Sequence, residues 1–209
     1  MHKRVFTDIH QRNAWGSAES ASGVGSSMER TAAFRDELIV LLKELNIEVL
    51  LDAPCGDFNW MQRVASSVRQ YIGVDVVEEL VTCNQKRYAS ERIQFVCADL
   101  TTDPLPNGKL ILCRDCLVHF AFDDVWRALA NFRRSGSRYL LTTTFESRDK
   151  NFEIATGDWR PLNLRIAPFC FPPPLQVIDE KCLHTGGIYS DKRLALWEVS
   201  AVPASPAGF

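Results

Sequence analysis

No apolar run in the 209 residues approaches the ~20 needed to cross a bilayer, and the longest are broken by Asp, Lys or Arg within ten residues. Charge of one sign is not in excess either. The 24 basic and 26 acidic side chains leave a net charge of -2, which gives no electrostatic footprint for a nucleic-acid partner. Glycine (11) and proline (10) are too few for a collagen-like or low-complexity chain, and no repeat period is present. With 46% hydrophobic and 24% charged residues, the composition is that of a globular chain with a full core. The cysteines lack a framework. Seven, at 55, 83, 97, 113, 116, 170 and 182, are an odd number set mostly in apolar runs, where a thiol behaves as a small hydrophobe. A reducing, cytoplasmic location is the expectation. Cys113 and Cys116 have CxxC spacing, but no second pair and no His at ligand spacing for zinc. They also close an apolar strand, whereas a redox pair should open a helix. No metal site is expected. The basic start Met1–Phe6 is followed by Thr7, Asp8, His10, Gln11 and Arg12 in place of the apolar stretch of a signal peptide.

What is present is an α/β rhythm over a single domain spanning 1–209. A Gly/Ser-rich stretch from Trp15 to Ser27 within a lid segment 1–27 ends in Ser26-Ser27-Met28-Glu29, a hydroxyl three residues before a carboxylate, as in a capping box. A helix follows with Phe34, Leu38, Leu41, Leu42 and Leu45 on one stripe, ended by Asn46. Short apolar runs then alternate with helical patterns, the mark of a parallel sheet. Strands are expected at 48–53, 71–75, 93–98, 109–114 and 138–145, and helices at 59–68, 77–89 and 123–134. The core 28–145 gives way to a cap, 146–174, with aromatics interleaved among prolines. Strands at 175–182 and 192–199 then form a closing hairpin around Gly186-Gly187, and 201–209 is a loose tail. The expected sheet therefore has seven strands, mostly parallel, with helices on both faces.

In an open parallel sheet, ligands bind beyond the carboxyl ends of the strands, and acids stand there. Asp52 ends the first strand, Asp75 the second, and Asp99 follows the third. An acid after strand two can accept from both ribose hydroxyls, and one after strand three from an adenine amine. Taken singly, Asp52 also reads as a helix cap, Asp75 as a turn residue and Asp99 as a loop acid beside Thr101-Thr102-Asp103.

The ordered runs VLLDAPCGDFNWM, YIGVDVV, FVCADL and LILCRDCLVHF resemble the motifs of class I S-adenosylmethionine-dependent methyltransferases over about residues 48–145, within a bacterial branch built around P-C-G-D-F. The resemblance implies a Rossmann-like fold and S-adenosyl-L-methionine as cofactor. It places the first-motif residues Asp52, Ala53, Pro54, Cys55, Gly56, Asp57, Asn59 and Trp60 around that cofactor, with Asp75, Val76, Ala98, Asp99, Leu100, Arg114 and Cys116. The family's usual first motif is D-x-G-x-G-x-G. Here Pro54 and Phe58 replace its first and third glycines, and Phe58 is expected to crowd one wall of the pocket. The same loss of glycines argues against a dinucleotide oxidoreductase, whose G-x-G-x-x-G makes room for a pyrophosphate.

Methyl transfer needs proximity, alignment and a deprotonated acceptor. His119 has the apt titration range, with Asp115 to orient it or serve instead; a packed core histidine is the alternative. His2, His10 and His184 read as peripheral. Trp15 and Glu19 in the lid and Trp159, Arg160 and Asn163 in the cap are candidates for the acceptor site, because aromatics stack on planar or sugar faces. The expected acceptor is a small molecule or a sugar-like hydroxyl, with no nucleic-acid or membrane partner; monomer and homodimer both remain open. A cofactor-binding regulatory protein without turnover and, less favoured, a nicotinamide oxidoreductase are the competing functions.

Overall fold

Runs such as LILC and YLLTTTF, with no polar face of their own, must be covered on both sides. They become β4 (Leu110–Cys113) and β5 (Tyr139–Phe145), buried at every position. With β1 (Val49–Asp52), β2 (Gln70–Asp75), β3 (Ile93–Cys97), β6 (Gln176–Asp179) and β7 (Lys192–Glu198) they form one sheet in the order β3-β2-β1-β4-β5-β7-β6. The computed structural model describes residues 2–182, 185–203 and 205. Strands β1 to β5 pair in parallel, whereas β7 runs antiparallel to both β5 and β6. The strand order reverses between β1 and β4, which opens a crevice at their carboxyl ends. Every expected strand is present, each within a few residues of the expected bounds. His184 and part of the tail 201–209 lie outside the described residues.

Each face of the sheet carries its own apolar layer. On one face, α2 (Met28–Glu44) buries Phe34, Leu38, Leu41 and Leu42 together with Val81 of α3 (Glu78–Tyr88). On the other, α4 (Phe122–Arg134) buries Val125, Leu129 and Phe132. Burying each such side chain contributes about 1.5–3 kcal/mol. Asn46 adopts φ +50 just past α2, the left-handed stop that asparagine tolerates.

Three local expectations are corrected. Residues 59–68 form two single 3-10 turns, Met61–Arg63 and Ala65–Ser67, instead of a helix. The Ser67 hydroxyl bonds the Val64 carbonyl and so competes with helical pairing. At α2 the cap is Ser27, which accepts from Arg30 N, so Ser26 and Glu29 do not form the box. Phe58 stays clear of the pocket: at φ +60 it turns away to pack on Tyr71, Tyr88 and Phe95. In the cap, Phe169 packs on Phe122 and Trp126 and Phe171 on Trp197, within the α4-side core. A further helix, α1 (His2–Gln11), occupies the start of the lid segment 1–27, where no helix was expected.

Candidate active site

Beyond the carboxyl ends of β1 to β4 lies a cavity of about 360 Å³, and the strand-end acids reach it. Asp52 is buried, and burial pushes its carboxyl up to about 7 against the opposing hydrogen bond from the Tyr71 hydroxyl, which donates at 2.6 Å. Asp75 accepts from Gly56 N at 3.0 Å and Val77 N at 2.9 Å. Burial still raises its pKa above the ordinary value. Each oxygen retains a lone pair for a further donor. Asp99 lies below the usual range: burial works against its charge, but Thr101 and His2 hydrogen bonds hold it ionised.

The Gly/Ser-rich segment crosses directly over the first-motif loop. The Asp57 carboxylate accepts from Ala21 N at 2.8 Å and Ser20 Oγ at 3.1 Å, and Asp57 N donates to Ser22 Oγ at 3.0 Å. Gly56 makes this crossing possible. Its φ is +54, and an added Cβ would stand 2.0 Å from Ser22 Oγ, so only glycine fits. Glu19 accepts from Met28 N at 2.7 Å and from Asn59 Nδ2 at 2.8 Å, and thereby caps α2 while tying the lid down. Trp15, Ser22 and Val24 line the cavity as a result.

Past β4, buried charges converge. Arg114 donates to Glu180 Oε2 at 2.7 Å and to Gly25 O of the lid at 3.0 Å, with its guanidinium over the Phe34 and Trp60 rings. Lys192 Nζ lies 2.6 Å from Asp115 Oδ2 and 3.1 Å from Glu180 Oε2. Burial alone would raise the Asp115 carboxyl, but Arg114 and Lys192 hold it well below the ordinary carboxylate range. An acid so firmly ionised and paired is a poor base.

His119 is different. Its Nδ1 lies 2.8 Å from the Asp158 carbonyl. A carbonyl only accepts, so Nδ1 carries the proton and Nε2 presents a lone pair. Burial pushes its pKa below the ordinary value, so the ring is neutral at pH 7. It lines the cavity beside Trp15, whose ring centroid is 5.3 Å away. Trp159, Phe145 and Tyr189 complete an aromatic wall of edge-to-face contacts.

The structure brings most of the sequence-derived candidates to this one cavity. Asp52, Pro54, Cys55, Gly56, Asp57 and Trp60 line it from the first motif; Asp75, Val76, Asp99 and Leu100 from β2 and β3; and Arg114, Asp115, Cys116 and His119 from β4. Six candidates stand elsewhere. Ala53 and Ala98 are buried at strand ends, with their amides on Leu112 O and Asp75 O. Glu19 and Asn59 hold the lid. Arg160 is buried under Phe122, donating to Leu117 O and Val118 O, and burial lowers its pKa to about 10. Asn163 ties separate segments of the cap together through Glu146 O and Arg148 O. Sequence reasoning missed Lys192 and Tyr189, and it set aside His2 and His10, which line the cavity with Phe6. Their signal was the spacing of His2, Phe6 and His10 on one helical face. Among the described residues, no group of three or more His, Cys, Asp or Glu is arranged to hold a metal ion.

A family model described as a methyltransferase domain matches residues 50–136, the stretch that supplies the strand-end acids. Over that stretch the chain is similar to a methyltransferase domain. Its fold is similar to that of phosphoethanolamine N-methyltransferase 1 from Haemonchus contortus, at TM-score 0.56 and 16% identity over 75% of this chain and 35% of that one. Magnesium protoporphyrin IX methyltransferase from Synechocystis with bound S-adenosylmethionine gives TM-score 0.51 and 14% identity over 74% and 80%. The [4+2]-cyclase SpnF gives 0.50 and 24% over 68% and 58%. This chain thus spans 35% of the first of those chains and 58% of the third, and these likenesses concern the fold. No curated protein matches the chain in sequence. Among the described residues no helix is long and apolar enough to cross a membrane.

Proposed function

We propose that this domain methylates a hydroxyl of a small-molecule or sugar-like acceptor, with S-adenosyl-L-methionine as the methyl donor and His119 as the general base. The observation that carries the reading is the His119 tautomer: Nδ1 is committed to the Asp158 carbonyl, which leaves a neutral ring with its Nε2 lone pair in a cavity lined by strand-end acids.

The residues present fit the cofactor. Asp75 has lone pairs for ribose hydroxyls, Asp99 has one left on Oδ2 for an adenine amine, the glycine at 56 admits close backbone approach, and Arg114 suits a carboxylate. Bound there, the cofactor supplies a sulfonium methyl group open to in-line attack. His119 Nε2 takes the acceptor's hydroxyl proton as the oxygen becomes nucleophilic, a role that contributes about 10²–10⁴-fold. Lys192 keeps Asp115 ionised, and Asp115 in turn favours the imidazolium that results. Trp15, Trp159 and Tyr189 offer faces for a planar or sugar acceptor and help exclude water.

The test is transfer of labelled methyl from S-adenosylmethionine to a panel of phenolic, sugar and other small hydroxyl compounds, with RNA included. The proposal expects turnover on a small hydroxyl and none on RNA. Tight S-adenosylhomocysteine binding with no turnover across the panel would favour a regulatory binding protein instead.

A further inference from the structure

Helix α1 presents His2, Phe6 and His10 at i, i+4 and i+8, one face of a helix, and all three line the cavity. The helix is firmly seated. His2 lies 2.8 Å from both Asp99 Oδ2 and Asp124 Oδ2, and its ring stacks on Phe120 at 5.8 Å. On another side Val5 and Ile9 pack over Gly157, where an added Cβ would meet Val5 Cγ1 at 2.6 Å. Lys3 pairs with Glu78 at 2.7 Å. The last turn of α1 therefore stands over the end of β2, where His10 lies close enough to Asp75 to favour its anion.

His10 is incompletely satisfied there. Its Nε2 is 3.8 Å from Glu79 Oε2, and its Nδ1 is buried with no hydrogen-bond partner among the described residues. A buried polar group left this way is costly, and a ligand hydroxyl at that point removes the cost. The neighbouring Asp75 carboxylate supplies acceptors. An imidazole nitrogen and a vicinal diol, each able to donate or accept, are then complementary.

We infer that α1 is part of the nucleoside site and that His10 Nδ1 hydrogen-bonds a ribose hydroxyl shared with Asp75. The inference rests on the cofactor proposed above. It also accounts for the double use of Asp99: the same helix that brings His10 to the ribose sets the base-reading acid through His2, so docking of α1 and ordering of the nucleoside site are one event.

Calorimetric titration of S-adenosylhomocysteine and of its 2′,3′-dideoxyribose counterpart tests this with wild type, His10→Ala and His10→Gln. Loss of one hydrogen bond to a buried partner corresponds to about tenfold in affinity. His10→Ala should weaken S-adenosylhomocysteine by that factor and leave the dideoxy compound unchanged, and His10→Gln, which keeps a donor and an acceptor, should recover most of the loss. Equal weakening of both ligands, as a packing defect would give, overturns the inference, and so does no weakening at all. If wild type fails to bind S-adenosylhomocysteine, the cofactor reading itself falls and takes this inference with it.

Discussion

Asp57→Ala should release the lid without unfolding the sheet. The carboxylate accepts from Ala21 N at 2.8 Å, Ser20 Oγ at 3.1 Å and Asn59 N at 3.2 Å. A hydrogen bond to an ionised acceptor is worth about 1.5–3 kcal/mol when shielded. Asp57 is only half-buried, so solvent screening and non-additivity reduce the sum. About 2–3 kcal/mol for the segment as a whole is a reasonable figure, or roughly 30- to 150-fold in its opening equilibrium. Amide exchange reads this directly, because Ala21 N bonds the deleted carboxylate and Gly23 N closes onto Ser20 O in the same turn. Exchange at 21–26 should accelerate by that factor while β4 and β5 amides keep their protection, and S-adenosylhomocysteine affinity should fall because Trp15 and Ser22–Ser26 leave the cavity wall. Unchanged protection over 21–26 would refute the clamp.

Gly56→Ala should act at the same place from the other side: a Cβ 2.0 Å from Ser22 Oγ at a φ of +54 displaces the lid and adds about 1–2 kcal/mol of left-handed strain, measurable as a lower denaturation midpoint together with faster exchange at 21–26. For Asp52 the sign runs toward acid. Its folded carboxyl keeps a proton up to about 7 against an ordinary value of 3.8, so the folded state binds more protons and stability falls as pH rises between those values, by about 4 kcal/mol. Asp52→Asn should flatten that slope in denaturant titrations at pH 4.5 and pH 8, and an unaltered slope would count against the buried, protonated acid. His119→Ala should lower kcat by about 10²–10⁴-fold with cofactor affinity retained. Because burial lowers the His119 pKa, the wild-type kcat/KM profile should lose activity only at pH below the ordinary histidine range; an unchanged acid limb in the variant would remove His119 from the chemistry.

The parts of the architecture that were legible in the sequence are those with a periodic signal. The Phe34, Leu38, Leu41 and Leu42 stripe, the all-apolar LILC run and the β-branched and aromatic YLLTTTF run each have one place to go in a covered parallel sheet. Residues 59–68 misled because their apolar spacing is helical while the chain at Phe58 adopts a positive φ and Ser67 turns back onto its own backbone. Helix α1 escaped notice because its face toward the cavity is His2, Phe6 and His10, and histidines read as polar surface in a one-dimensional pattern. The strand-end acids were visible from the sheet rule alone. The uses of Asp57, Glu19 and Asn59 were not, since each holds residues well removed in sequence, and such pairings are set by how the lid crosses Gly56. Arg160 and Asn163 carried the polar groups expected of a binding site, yet a cap without regular secondary structure must satisfy its buried carbonyls from side chains, and that need takes both.

The central claim is that the cavity at the carboxyl edge is a methyl-donor site with its reactive end at His119. A crystal structure with S-adenosylhomocysteine tests it most directly. The account predicts the ribose hydroxyls on Asp75, the adenine beside Asp99 and Leu100, and the sulfur on the side of the cavity that His119 and Trp15 line. Ligand bound with its ribose away from Asp75, or with its sulfur directed toward α1 and away from His119, would contradict it.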